Sequence, residues 1–498
     1  DNFIVTAPPA ATNRKVRVAV FGDCGRNDNS YQNLTLSAYL NYVGANPAEL
    51  MLLLGDNAYN NGTDAEYQSN FFNIYSGSIL KNHALFPAPG NHDYANTAAR
   101  QADKNVPYYA NFTLPAAAQC GGVASATECY YSYDWGNIHF LSLDSYGTET
   151  GSALRLYDTT GPQVTWIKQD LAANTKKWTI AYWHHPPYTM GSHNSDTETE
   201  LVKMRQNFIR ILENAGVDMI LCGHSHDYER SYLLKNYTAN ESSFSLPQHA
   251  VNTSSGKYDN TTNSCAYVTQ GGKVNHGTVY VVAGSAGASG GVQAGYPHNA
   301  LPFAINDGGM FYFEVDDNRL DAKFIRKDGV LYDQFTLMKD AGVTQTVSVT
   351  AGQPITLTAS WKGTYVWNTG ATTRSITVSP SVTTVYTCSD GFSCLTDQLT
   401  VNVTGGAVAK PVTAVTESKG QGLTVYPIPV HRGQRLHITS GSLEKGWVEL
   451  VSATGQILSR KLLMGNAELS TQDLRPGLYF LRYTEGQQTF SKRIVISE

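Results

Sequence analysis

Six short apolar runs, each closed by glycine or a polar residue, constrain the fold of this chain more than any other feature. They occupy residues 16–21, 50–54, 138–143, 178–183, 217–222 and 279–283 and are rich in Val, Ile and Leu. Runs of this length that are apolar on both faces predict strands buried on both sides, as in sheets covered by helices. Between them, residues 30–43, 162–173 and 196–214 show helical spacing, with Trp166 and Leu171 on one face, and Leu201, Met204, Phe208 and Ile211 on another. Asp196 or Ser195 is placed to cap the last helix. Three alternating stretches, 310–315, 320–326 and 330–336, predict antiparallel strands that close an α/β layered domain.

Five polar blocks follow or end apolar runs: Gly22-Asp23-Cys24-Gly25, Gly55-Asp56-Asn57-Ala58-Tyr59, Gly90-Asn91-His92-Asp93, His184-His185-Pro186 and Gly223-His224-Ser225-His226. The carboxyl ends of strands are where open α/β sheets place their sites. The blocks supply carboxylates, a phenol, an amide and imidazoles, which suit a hard trivalent ion beside a borderline divalent one. Singly, each residue has a plainer reading: an Asp after a strand caps a helix or turn, a Tyr packs, a His-x-His sits in a polar loop. Their shared placement at strand ends favours one common site. Cys24 and Cys222 lie inside these blocks and read as small buried hydrophobes, not as thiolate ligands.

With 498 residues and 41% hydrophobic composition, the chain exceeds a single domain. A net charge of -5 without Lys/Arg-rich runs gives no footprint for nucleic acid or an anionic membrane, so any phosphate preference is local. No stretch approaches the roughly 18 apolar residues of a membrane span. The first residue is Asp, consistent with a precursor whose signal segment has been removed. Of seven cysteines, Cys120/Cys129 and Cys388/Cys394 are close in sequence and loop-flanked, predicting two local disulfides in an oxidising compartment.

Residues 233–274, rich in Asn, Ser, Thr and Tyr, read as a long surface excursion: either a wall of a substrate cleft or an insertion without consequence. Asn236, Asn240, Asn252 and Asn260 within it head Asn-x-Ser/Thr sites. After about residue 341, helical spacing gives way to period-two alternation at 344–350, 355–359, 375–378 and 398–403. Residues 405–422 read as a flexible linker, and 423–498 as a further compact β pattern.

In order, the five blocks resemble the purple acid phosphatases, a branch of the dinuclear metallophosphoesterases, over residues 16–338. The family pattern is Asp-x-Gly, Gly-Asp-x-x-Tyr, Gly-Asn-His-Asp/Glu, Val-x-x-His and Gly-His-x-His, and the sole departure is Ala181 for Val. The resemblance implies an α/β fold, a four-layer metallophosphoesterase β-sandwich flanked by helices. Two small all-β sandwich domains follow it. It implies that Asp23, Tyr59 and His226 hold Fe(III), that Asp56 bridges, and that Asn91, His184 and His224 hold Fe, Zn or Mn in the divalent state. A phenol with an ordinary pKa of about 10 needs a strongly acidic metal beside it to ionise, which makes Tyr59 the most discriminating residue. Gly25 stands where many other metallophosphoesterases carry a ligand His, and Tyr59 takes over. Phenolate-to-iron charge transfer would colour the protein purple.

The implied activity is hydrolysis of phosphate monoesters by a metal hydroxide, bridging or terminal. His92 and His193 would bind the phosphate and protonate the leaving group. His185 has no role in the pattern, and Asp93 is expected to orient an imidazole from behind. The alternatives are a phosphodiesterase or nucleotidase on the same scaffold, or a surface-binding protein on an inactive one.

Downstream, residues 341–404 resemble immunoglobulin-like modules through Tyr365-Val366-Trp367-Asn368-Thr369-Gly370. Residues 423–498 resemble type IX secretion sorting domains through Val425-Tyr426-Pro427-Ile428-Pro429, Ala453-Thr454-Gly455-Gln456 and Leu474-Arg475-Pro476-Gly477-Leu478-Tyr479. That implies export by the secretion machinery of a Bacteroidetes-type bacterium, to the medium or the cell surface, with the Asn-x-Ser/Thr sites left unglycosylated. The expected division is an extension at 1–15, a catalytic domain at 16–340, a β domain at 341–404, a linker at 405–422 and the sorting domain at 423–498.

Overall fold

A computed structural model describes residues 6–9, 14–149, 151–404, 424–439, 446–452, 456–463, 466–485 and 488–497. The linker expected at 405–422 lies outside the described residues.

Two seven-stranded sheets form the large domain. The first runs Ala84–Ala88, Leu50–Leu54, Val16–Phe21, Gly309–Asp316, Arg319–Arg326, Leu331–Lys339 and Tyr267–Thr269. Its first three strands are parallel, and Val16–Phe21 meets Gly309–Asp316 antiparallel. The second runs Phe303–Ile305, Tyr228–Leu234, Thr278–Ala283, Met219–Cys222, Trp178–Trp183, Ile138–Ser142 and Tyr131–Trp135, its central four strands parallel.

The period of two along the second sheet divides its side chains between two layers. Phe140, Ile180, Tyr182, Met219 and Leu221 face the first sheet. Their neighbours Leu141, Ala181, Trp183, Ile220 and Cys222 face Trp166, Ile167, Leu171, Phe208 and Leu212 of the helices at 162–173 and 199–214. On the far side of the first sheet, Tyr39 and Tyr75 set ring edges on Phe21 at 5.8 and 6.0 Å. The result is helix, sheet, sheet, helix. Each large apolar side chain buried this way contributes roughly 1.5–3 kcal/mol.

The helix expected at 196–214 starts later and turns differently. Its first residue is Thr199, and no side chain caps it: Asp196 pairs with Arg205 at 3.0 Å, and Ser195 bonds within the preceding loop. A wide i→i+5 turn spans Met204–Phe208; past it Leu212 is buried and Ile211 packs half-buried against the same core.

The excursion after Leu233 does not wall the cleft described below. It runs to the edge of the first sheet, where Tyr267–Thr269 pairs parallel with Leu331–Lys339. There Cys265 is disulfide-bonded to Cys394. Neither local disulfide forms: Cys120, Cys129 and Cys388 are free. The reason lies in strand alternation, which turns Cys388 into the core beside Tyr386 while Cys394, on the following turn, faces the excursion.

Residues 344–404 build a four-stranded and a two-stranded sheet around Trp361 and Trp367. Tyr258, Ala266 and Met338 of the large domain share that core. Asn318 donates to the Ser360 carbonyl at 2.7 Å, and Tyr258 to Asp390 at 2.9 Å. Beyond residue 424, three- and five-stranded sheets close on a separate core of Leu436, Val448, Leu481 and Ile494, to which, among the described residues, no earlier side chain contributes.

Candidate metal centre

The polar blocks converge at the carboxyl ends of adjacent strands. Asp23 and Asp56 lie two residues beyond Val16–Phe21 and Leu50–Leu54, His184 directly follows Trp178–Trp183, and His224 lies two residues beyond Met219–Cys222. Asp23, Asp56 and His224 have φ of 56, 53 and 68°, a left-handed conformation uncommon outside glycine. Strain of this kind, repeated at three strand ends, accumulates at functional sites.

Two groups of donors meet there. In one, the Tyr59 hydroxyl donates to Asp23 Oδ1 at 2.9 Å and lies 3.1 Å from His226 Nε2, which is 3.5 Å from Asp23 Oδ1. In the other, His184 Nε2 lies 3.0 Å from Asn91 Oδ1 and 3.2 Å from His224 Nδ1. Asp56 Oδ2, 3.3 Å from His184 Nε2, and Asp23 Oδ1, 4.0 Å from the same nitrogen, join the groups.

These spacings fit metal ligation. Ligands at about 2.0–2.2 Å from one ion lie roughly 3.0–3.5 Å from each other. The His184 ring donates Nδ1–H to the Leu54 carbonyl at 2.8 Å, and its Nε2 faces three acceptor atoms while able to carry one proton. Burial lowers the pKa of this imidazole, but Asp56 and then Asp23 outweigh burial and push it up to about 9. Burial likewise raises Asp56, and His184 holds it far below the usual carboxylate range. The cluster calls for positive charge, and one proton answers one acceptor where an ion answers all.

Gly25 aims the phenol. A Cβ at position 25 would lie 1.9 Å from the Asn57 carbonyl oxygen, so no side chain fits, and the Gly25 carbonyl accepts from Tyr59 N at 2.8 Å. The Arg26 guanidinium lies over the Tyr59 ring, 3.7 Å from its centre.

Asp93 does not orient an imidazole. It accepts from Gly90 N at 2.8 Å, Asn57 Nδ2 at 3.0 Å and the Tyr67 hydroxyl at 2.6 Å, tying the second and third blocks together. Burial, then Asp56, pushes its carboxyl up to about 7. The Leu54 carbonyl orients His184 instead.

A cleft of about 440 Å³ opens over this floor, with His92 and His193 among its lining. His92 Nδ1 is tied to the Asn60 carbonyl at 2.6 Å, with Nε2 3.9 Å from Asp56 Oδ2. His193 stacks on His224, ring centres 3.7 Å apart, and its Nδ1 is 2.8 Å from Glu198 Oε2.

Residues 16–228 match the model of the calcineurin-like phosphoesterase family, and residues 424–497 that of the secretion system C-terminal sorting domain. Residues 16–228 thus carry a calcineurin-like phosphoesterase domain, and residues 424–497 a sorting domain. The phosphoesterase domain is similar to Purple acid phosphatase 15 of Arabidopsis thaliana, 29% identical over 44% of this chain and 42% of that protein. Purple acid phosphatase 23 of the same plant is 33% identical over 30% of each chain. Tartrate-resistant acid phosphatase type 5 of Mus musculus is 26% identical over 36% of this chain and 56% of that one. The chain thus spans less than half the length of the two plant relatives. Among solved structures, purple acid phosphatase PPD1 from yellow lupin aligns with a TM-score of 0.45 at 20% identity, covering 67% of this chain and 55% of that one. No helix among the described residues is long and apolar enough to cross a membrane. The sorting domain marks a chain exported through type IX secretion.

Several residues of the cleft lie outside the five polar blocks. Tyr146, Glu198 and Glu200 line it without belonging to any block. His185 lines it too, with Nδ1 2.9 Å from Ser145 Oγ and its ring parallel to Tyr146 at 5.6 Å. Burial, then the neighbouring imidazoles, pushes His185 well below its ordinary pKa and keeps it neutral. The one sequence signal was the His-His pair itself.

Proposed function

We propose that this protein is an exported dinuclear-metal acid phosphatase of the purple acid phosphatase type, acting on phosphate monoesters. The observation that carries the reading is the pair of donor groups joined by Asp56 beneath a cleft framed by two further imidazoles. Asp23, Tyr59 and His226 would hold Fe(III); Asn91, His184 and His224 would hold Fe, Zn or Mn(II); Asp56 would serve both. Bound there, the two ions would supply Lewis acidity toward phosphate oxygens and lower the pKa of a water.

The chain's own groups then take separate roles. With Nδ1 fixed on the Asn60 carbonyl, His92 is held to pass a proton at Nε2 to the leaving oxygen. Glu198 fixes Nδ1 of His193, leaving its other nitrogen to donate to a phosphate oxygen. Delivery to the outside of a Bacteroidetes-type cell falls to the sorting domain, and the β domain at 341–404, read as immunoglobulin-like, braces the catalytic domain.

Elemental analysis, a visible spectrum and rates on aryl phosphate and bis-aryl phosphate test the proposal together. Iron with a second metal, a broad charge-transfer band absent from Tyr59→Phe, and preference for the monoester are expected. A colourless, metal-replete enzyme would falsify the iron–phenolate assignment, and preference for the diester would replace the monoesterase by a phosphodiesterase.

A further inference from the structure

We infer that the cleft selects esters bearing a single phosphate on an uncharged or cationic leaving group, and disfavours polyanions such as nucleoside triphosphates and inositol polyphosphates. The inference rests on the phosphatase reading above and concerns what surrounds the reacting phosphate.

Charge is distributed unevenly in this cleft. Its floor would carry the two ions, whose charge the oxygens of Asp23, Asp56 and Tyr59 already offset in part, leaving enough for one phosphate group. Its wall carries Glu198 and Glu200, each side chain 37% exposed. Among the described residues that line the cleft there is no lysine or arginine. Arg155, beside the wall, is committed: Nη1 lies 3.6 Å from Glu200 Oε1, and Nη2 donates to Gln101 Oε1 at 3.0 Å. Glu200 is paired in turn with Arg155, and Glu198 with His193, so a second phosphate would meet paired carboxylates and no spare cation where a polyphosphate site needs one. A like charge at about 6 Å in solvent-rich surroundings costs about three- to tenfold in association.

Another part of the wall suits a flat group. Tyr146 and His185 are nearly parallel, with planes 12° apart, and Tyr146 is held by a hydrogen bond from its hydroxyl to Asn96 Oδ1 at 3.0 Å. An aromatic leaving group has a surface to lie against.

The test compares kcat/KM of the full-length, metal-loaded protein for 4-nitrophenyl phosphate, ATP and inositol hexakisphosphate, at low and high salt. The aryl ester should lead by about tenfold or more, and added salt should narrow the gap by screening the repulsion. Glu200→Lys, which replaces a repulsive charge by an attractive one, should raise the polyanion-to-aryl ratio by about tenfold. Equal, salt-insensitive rates on all three substrates overturn the inference, as does a Glu200→Lys enzyme whose ratio is unchanged. A protein that hydrolyses none of them overturns the phosphatase reading itself, which distinguishes the two failures.

Discussion

Two buried imidazoles on neighbouring strands of the second sheet, His139 and His184, each stand between two aspartates, and only one of them marks a site. His139 is complete. Its Nδ1 meets Asp134 at 2.8 Å and its Nε2 meets Asp170 at 2.6 Å. Asp170 takes further bonds from Ser132 Oγ and Val123 N, both at 2.7 Å, and Lys176 lies 3.3 Å from Asp134. Every polar atom there has a partner of the right kind, and the triad pins the edge strand Tyr131–Trp135 and the helix Pro162–Ala173 to the sheet. His184 has the same neighbours in kind but not in geometry, since its Nε2 faces Asn91, His224 and Asp56 together. A satisfied buried network stabilises a fold, whereas one that concentrates acceptors is kept for what it binds.

Substitutions should separate the two. Asp56→Asn removes the oxygen shared by both donor groups, and hydrolysis should fall by about 10³-fold or more, with loss of metal. Unchanged turnover in that variant would put the chemistry elsewhere. His139→Leu should do the converse: stability falls by about 3 kcal/mol in denaturant titration, because Asp170 keeps its charge without its cation, while kcat per folded molecule is unchanged. Loss of turnover without loss of stability would make the triad part of the site.

The pH profile sharpens the same contrast. Burial lowers the His139 pKa, but the bonds to Asp134 and Asp170 raise it above the ordinary 6.5. The folded state therefore binds this proton more tightly than the unfolded one. Its contribution is full below about pH 6.5 and is lost as pH rises through the raised folded value. Wild-type stability should fall across that window and the His139→Leu variant should lack this step; equal slopes would show the imidazole to be unlinked to folding. A smaller effect belongs to His92→Ala, where kcat should drop by about 10²-fold with metal content retained. Loss of the metals there would assign His92 to ligation instead of proton transfer. Smallest of all, removal of residues 405–498 should leave kcat/KM within about twofold, because the sorting domain has its own core. Cutting at 344 instead strips Met338 and Tyr258 of their cover and breaks the Cys265 link, so melting temperature should fall.

Much of the fold was legible because burial on both faces writes itself into composition. Leu50–Leu54 is apolar throughout and Trp178–Trp183 apolar but for Thr179, and both read as strands, while Ala84–Ala88, with Pro87, and Tyr228–Leu234, with Glu229 and Arg230, carry no such mark. Those polar residues are admitted by particular partners: Arg230 sits between Asp333, at 2.6 Å, and the Phe303 ring. The apolar face of helix 199–214 holds through Ile211, which packs half-buried against the core, while the wide turn at Met204–Phe208 leaves no trace in spacing. Cys394 found a partner 129 residues away, which nearness in sequence could not indicate.

The sequence by itself determined the layered α/β class and the chemical types of donor available at the strand ends, because both depend on local runs and motifs. Tertiary structure decided which atoms of those donors face each other, why His184 lacks a complete set of partners when His139 has one, and which bystanders, Tyr146, Glu198 and Glu200, wall the cleft. Such distinctions rest on ångström-scale directions between residues far apart in the chain. Hydrogen bonding and charge interaction depend on distance and angle, and neither is encoded by residue type.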